Sequence, residues 1–260
     1  MSIGNIAPSA ATSWSKPVPL SPGTRTDSSG APIKNILLLT IPDAEFNLLR
    51  PELEHIELPH RYVLHAPGER IEFVYFPNDG MISLVVTAYD GRSVEVGLLG
   101  REGMAGTSVT LGFPLAPYLA ITQIPGNAAR IRAEVLQEIL PLAPRFTQEM
   151  HRFVMLQGLQ MAQVAACNRL HELEQRLARW LLMCQDRVDA EILPLTHEFL
   201  AQMLGSGRPT VTLAAGMLER AGLIENMRGT IRVLNRKKLE DAACECYRVV
   251  QHFNGGLGLK

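Results

Sequence analysis

The chain has 260 residues, 25 Lys and Arg against 26 Asp and Glu, and a hydrophobic fraction of 47%. That length supports two domains with real cores, and the composition is that of an ordinary globular protein rather than a disordered or fibrous one. No apolar run approaches the roughly 20 residues that span a bilayer, no basic-then-apolar leader opens the chain, and four cysteines (Cys167, Cys184, Cys244, Cys246) are too few for a disulfide framework, so a cytoplasmic protein without membrane contact is expected.

The near-neutral total conceals an uneven spread. Residues 1–195 hold 16 Lys and Arg against 20 Asp and Glu, whereas residues 196–238 hold seven (Arg208, Arg220, Arg228, Arg232, Arg236, Lys237, Lys238) against Glu198, Glu219 and Glu225. A local basic excess is the electrostatic footprint of a nucleic-acid surface.

Ser, Thr, Pro and Gly make up 18 of residues 1–35, which predicts a disordered tail. Residues 36–60 carry leucines at helical spacing. The period then changes. The runs RYVLH, RIEFVYFP, GMISLVVTA, SVEVGLLG and YLAITQIPG are short, β-branched or aromatic, and punctuated by glycines. They predict an antiparallel barrel or jelly roll within residues 36–140.

Residues 141–187 read as helical, with a break expected near Asn168. One apolar seam follows Phe153, Leu156, Gln160, Gln163, Cys167 and Leu170, alternating three and four apart, and a second face carries Met150, Val154, Met161, Ala165 and Leu173. Two faces on one long helix suggest two partners, the chain's own barrel and a second subunit. The first seam is taken as the dimerisation face.

Residues 188–260 hold the most informative string, LTHEFLAQMLGSGRPTVTLAAGMLERAGLIE. Thr196 is placed to cap one helix. Gly205 suits the positive φ of a turn, and Pro209 suits a first helical turn. In the second helix Val211, Ala214, Ala215 and Leu218 share one face and must pack inward. The opposite face carries Pro209, Thr212, Leu213, Gly216 and Arg220, with Arg208 at the helix start; Ser206 in the turn and Thr210 are counted with the expected DNA contacts. Short side chains with an Arg at the helix start are what a helix in the major groove needs. Beyond Gly222, LIENMRGTIRVLN predicts a two-stranded wing whose Arg228 and Arg232 would meet phosphates. A winged helix-turn-helix reading double-stranded DNA follows. The competing reading is a helical interaction domain with a solvated basic face.

Cys244 and Cys246 fall in the last predicted helix, where residues two apart point to opposite sides. They are therefore not expected to share a metal, and no metal site is predicted. One is expected to be buried and the other exposed. A redox role would require a depressed thiol pKa. An enzyme is not expected either: the barrel strings lack a His-x-His and Glu cluster or a nucleophile–base pair.

The strings YFPNDGMISLV, EVGLLGREGMAG, EQRLARWLL and LTHEFLAQMLGSGRPTVT, in the order barrel, long helix, winged helix-turn-helix, resemble the Crp/Fnr transcription regulators over roughly residues 36–250. The resemblance implies an α+β chain: a cyclic-nucleotide-binding-like β jelly roll, a long dimerisation helix and a C-terminal winged helix-turn-helix. It also implies a homodimer on palindromic operators, with RNA polymerase as a further partner. The family's recognition helix carries an Arg-Glu pair, then Thr-Val and a later Arg. Here Arg208, Thr210 and Val211 keep their places, while Pro209 replaces the Glu and Leu213 the last Arg, so the operator should differ from the usual half-site.

The resemblance does not name the input. Cyclic-AMP binders pair a Gly-Glu step for the ribose with an Arg for the cyclic phosphate. Arg101-Glu102-Gly103 is present, but no Arg lies between Glu102 and Arg130, so cyclic AMP is not expected. The iron–sulfur members use N-terminal cysteines, and this chain has none before Cys167, so that cluster is not expected either. A haem ligand would have to come from His55, His60 or His65. The cofactor is left open. The alternative function implied is a cyclic-nucleotide-like ligand-binding module that regulates a protein partner.

Overall fold

The computed structural model describes residues 25–188 and 190–256. In chain order the first part comprises α1 (Ile36–Thr40), α2 (Asp43–Leu49), β1 (Glu54–Leu58), β2 (Val63–His65), β3 (Phe73–Pro77), β4 (Met81–Thr87), β5 (Ser93–Leu99), β6 (Leu119–Ile124), β7 (Gly126–Arg132) and α3 (Ala133–Ile139). Two long helices follow, α4 (Pro144–Leu170) and α5 (Leu173–Val188). The rest is β8 (Ile192–Leu193), α6 (His197–Met203), α7 (Arg208–Arg220), β9 (Ile224–Met227), β10 (Thr230–Val233), α8 (Arg236–Ala242) and α9 (Cys246–Gly256).

The strands between Glu54 and Arg132 form two antiparallel sheets, ordered β1-β7-β3 and β2-β6-β4-β5. This is the expected jelly roll. Alternation along β4 explains why the strand is so apolar. Ile82 and Leu84 turn into the core between the sheets, with Phe76, Ala129 and Ile131. Met81 and Val85 turn the other way, into a second core with Leu177, Trp180 and Leu181 of α5. A strand buried on both faces shows no polar alternation. The same α5 residues meet Leu200, Val211, Ala215 and Leu218, so this second core joins the outer face of the sheet to the C-terminal helices.

The tail predicted over residues 1–35 divides. Residues 1–24 lie outside the described residues. Residues 25–35 are packed, contrary to expectation, because polar groups anchor them. The buried Arg25 guanidinium donates to the carbonyl of Ile41 at 2.7 Å and pairs with Asp43 at 2.5 Å. The Asp27 carboxylate accepts from the Ser29 and Ala31 amides, each at 2.9 Å. Asn35 caps α1 and donates to the carbonyls of Pro77 and Gly103. A Ser/Thr/Pro/Gly count does not register such anchors.

The long helix breaks at His171, which is extended, rather than near Asn168. The seam expected to dimerise is largely spent within the chain. Phe153 packs on Gly103 of the barrel, where an added Cβ would lie 2.2 Å from the ring. Cys167 is fully buried beside Cys244, and Gln163 donates to Cys246. Leu156 and Gln160 are half-buried, and only Leu170 is freely exposed. The face left open runs instead through His151, Met155, Gly158, Ala162, Ala165 and Arg169, again three and four apart. Both stripes have helical period. Which one meets solvent depends on where the barrel and the C-terminal segment sit.

Candidate nucleic-acid interface

The C-terminal site is built as the residue pattern requires. The Thr196 hydroxyl accepts from the Phe199 amide and caps α6, a contact worth about 1 kcal/mol. Gly205 takes φ +57° at the turn. Its missing Cβ would stand 3.1 Å from the Val94 side chain of β5, so a side chain there would be strained by conformation and crowded by the barrel. Pro209 sits in the first turn of α7. Val211, Ala214, Ala215 and Leu218 are the buried residues of α7, all four as expected.

The opposite face of α7 carries Arg208, Pro209, Thr210, Thr212 and Leu213, all exposed. Leu213 is 67% exposed, a large apolar group that nothing among the described residues covers. Arg208 lies 3.9 Å from Glu198, with both side chains in solvent, a loose pair of little energetic weight. Thr212 is less free than its exposure suggests. Its hydroxyl donates to the Arg208 carbonyl at 3.0 Å and lies 3.1 Å from His197 Nδ1. The other nitrogen of His197 lies 3.2 Å from the Asn226 side chain, and the Asn226 amide donates to Glu219 at 2.8 Å. His197 and Asn226 thereby tie α6, α7 and the hairpin together. Neither was singled out from the sequence, because their spacing of 29 residues carries no local signal.

The hairpin pairs β9 with β10 and adds β8 at its edge. Arg228 is exposed at its tip, next to Gly229. Arg232 stands opposite Glu225 and pairs with it at 2.9 Å, so part of its charge is already offset. Ser206 and Arg208 line a cleft that the barrel closes on its far side with Arg61 and Arg92, the latter paired with Asp90 at 2.8 Å. Arg61 has φ +63°, the one non-glycine in the left-handed region among the described residues. These two arginines come from turns that precede β2 and β5, over 100 residues away, which is why the sequence reading of a basic stretch did not include them.

The barrel carries its own polar contacts. Glu102, which sits where the resemblance places the ribose ligand, is instead bound to Arg187 of α5 at 2.8 Å, and both side chains are mostly buried. Thr107 and Tyr118 donate to the carbonyl oxygen of Gln157 on α4 at 2.9 and 3.0 Å. Glu95 lies deep between the sheet and α5. It accepts from Ser83 at 2.6 Å and from the Trp180 indole at 2.7 Å. Burial pushes its carboxyl up to about 7, although both hydrogen bonds and the nearby Arg179 and Arg187 favour the charged form. Of the expected haem candidates, His65 is buried against Tyr75 and the Phe73 carbonyl, and burial lowers its pKa. His55 pairs with Glu57, and His60 meets the Gln123 carbonyl.

A winged helix-turn-helix is thus joined through a long helix to a β jelly roll. Residues 175–242 match the Crp-like helix-turn-helix domain family. Among solved structures the chain is similar to the c-di-GMP-responsive global regulator CLP of Xanthomonas campestris. Identity is 18%, with 74% of this chain and 99% of that chain covered and a TM-score of 0.62. It is similar also to FixK2 from Bradyrhizobium japonicum, at 16% identity, 74% and 98% coverage and a TM-score of 0.62. A CooA variant from Carboxydothermus hydrogenoformans matches at 16% identity, 84% and 96% coverage and a TM-score of 0.57. No curated protein sequence matches the chain. Residues 175–242 thus form a Crp-like helix-turn-helix domain, and the solved structures share the fold of the larger part of the chain. No helix among the described residues is long and apolar enough to cross a membrane.

Proposed function

We propose that the chain is a sequence-specific regulator that binds double-stranded DNA as a homodimer on two-fold symmetric sites, acting by binding rather than by catalysis. The observation that carries the reading is α7. Its inner face is buried to the last residue, while its outer face presents Arg208, Pro209, Thr210 and Leu213 to solvent, Arg208 held only by a loose 3.9 Å pair with Glu198. Arg208 at the helix start is positioned for guanine O6 and N7, and Leu213 for a thymine methyl. Arg228 at the hairpin tip would hold a phosphate. Arg61 and Arg92 extend the positive surface beyond the winged helix.

The dimer is read from α4. Met155, Gly158, Ala162 and Ala165 form an exposed apolar stripe of small residues, which lets a second α4 approach closely. In this reading the jelly roll is the sensor, α4 and α5 are the dimerisation and linker helices, and the chain from β8 onward reads DNA. Contact with RNA polymerase would depend on operator position. The Glu102–Arg187 pair supports an input other than a cyclic nucleotide, because the carboxylate the ribose would need is already engaged.

The test is a selection from a random duplex pool with the full chain at physiological salt, with Arg208→Ala run in parallel. The expected result is a two-fold symmetric motif with half-sites about one helical turn apart, one position of which relaxes in the variant. A wild-type selection that enriches no sequence, in buffer and in cell extract alike, overturns the reading.

A further inference from the structure

Cys167, His171, Cys244 and Cys246 offer one ligand atom each, and all four atoms lie within 4.8 Å of one another. Cys167 and His171 are four apart in the last turn of α4 and its cap, so they share a face. The expectation that Cys244 and Cys246 diverge assumed one continuous helix. The helix ends at Ala242, Ala243 is extended, and α9 begins at Cys246. The intervening turn aims both thiols at Cys167 and His171, and both are buried.

We propose that these four side chains form a site for a single thiolate-preferring divalent cation of the zinc class, bound tetrahedrally. The spacing is the first support. Tetrahedral geometry with metal–sulfur bonds of about 2.3 Å sets neighbouring ligand atoms roughly 3.7 Å apart. Cys167 Sγ and Cys244 Sγ stand 3.5 Å apart, as do Cys246 Sγ and His171 Nδ1. Thiolates on different irons of an iron–sulfur cluster stand wider than the 4.8 Å that contains all four ligand atoms here.

The surrounding groups are the second support. His171 Nε2 donates to the Glu245 carboxylate at 3.1 Å, which leaves the Nδ1 lone pair facing the thiols. A carboxylate behind a ligating histidine is the usual way its ring is oriented. Gln163 Nε2 donates to Cys246 Sγ at 3.0 Å and would hold a thiolate there. Arg179 is a further sign. It is 3% exposed, its Nε has no hydrogen-bond partner, and no ion pair joins it to a carboxylate among the described residues. Its charge acts on both Cys167 and Cys244. An M²⁺ ion entering the site releases three thiol protons to solvent and leaves a complex of net charge −1, a counter-charge for this guanidinium in addition to Glu95. The ion would fasten the α8–α9 turn to the α4–α5 break, where the long helix meets the DNA-reading part of the chain.

The experiment uses the tag-free full chain. Elemental analysis of freshly purified protein should give one zinc per chain. After chelation, Co²⁺ should bind once per chain with the thiolate charge-transfer and d–d bands of a tetrahedral site, and Zn²⁺ should displace it. Chelation should lower the melting temperature, and Zn²⁺ should restore it. Cys167→Ser and Cys244→Ser should lose the bands. His171→Cys, a fourth thiolate, and Cys184→Ser, whose thiol lies in the other core, should keep them. Because wild type alone is decisive, misfolded variants do not rescue the idea. Absence of stoichiometric metal together with an octahedral or featureless cobalt spectrum overturns it. So does a Cys167–Cys244 disulfide recovered from protein that binds no metal.

Discussion

The two helices α4 and α7 bury one side and expose the other, yet they expose opposite chemistry. On α7 the open face begins with Arg208 and continues through Pro209, Thr210 and Leu213, a short-chained surface with a cation at one end. On α4 the open face is Met155, Gly158, Ala162 and Ala165, bounded by His151 and Arg169. A polyanionic groove suits the first, and a second copy of the same helix suits the second. Amphipathicity by itself says only that one side is covered. The composition of the uncovered side says by what kind of partner it would be met.

The comparison breaks most sharply at Gly158. An added Cβ there has nothing within 4 Å in its own chain. Gly158→Leu should therefore leave the folded protomer intact while crowding both sides of a symmetric contact. Overpacking of about 1–3 kcal/mol per copy predicts dimer dissociation raised on the order of a hundredfold or more. Sedimentation equilibrium measures it, and an unchanged dimer would move the interface elsewhere.

On α7, Arg208→Ala should cost on the order of 1–3 kcal/mol on the selected operator and relax one base position. Competition titrations against single-base operator variants check it. Equal loss on every sequence would reduce Arg208 to a phosphate contact.

Glu95 probes the core between the sheet and α5. Its folded pKa of about 7 lies above the ordinary carboxylate value, so the folded state keeps a proton that the unfolded chain has already lost. Stability should therefore fall as pH rises from about 4.5 to about 7 and level off above, by something on the order of 1–3 kcal/mol. Glu95→Gln can still accept from Trp180 and should remove that slope. Urea unfolding midpoints of both proteins between pH 5 and 8 give the difference, and parallel curves would show that Glu95 is not the titrating group.

Smallest is Arg228→Ala at the hairpin tip. It should weaken binding to all duplexes alike and reduce the slope of log affinity against log salt by about one. Filter binding across a salt series reads it, and an unchanged slope would take the hairpin off the phosphate.

Legibility varied with how local the deciding contacts are. The helix-turn-helix was readable because its determinants lie within a few residues of each other. They are a threonine cap, a turn glycine, a proline at the helix start and four inward residues at helical spacing. The tail was misread over residues 25–35 because a low apolar count does not reveal that Arg25, Asp27 and Asn35 each satisfy several backbone groups. On α4 both stripes have the right period, so periodicity could not choose between them. Phe153 belongs to the barrel because Gly103, 50 residues earlier, leaves room for its ring.

Composition and short-range pattern thus determined the order of jelly roll, long helix and winged helix-turn-helix, because hydrophobic period, capping and turn conformation act over one or two turns of chain. Tertiary structure alone decided which face of α4 stays open. It also brought Arg61 and Arg92 beside the start of α7, engaged Glu102 with Arg187, and gathered Cys167, His171, Cys244 and Cys246 into one cluster. Each of those outcomes joins side chains from different elements, most of them tens of residues apart, and such meetings are set by how the two cores dock.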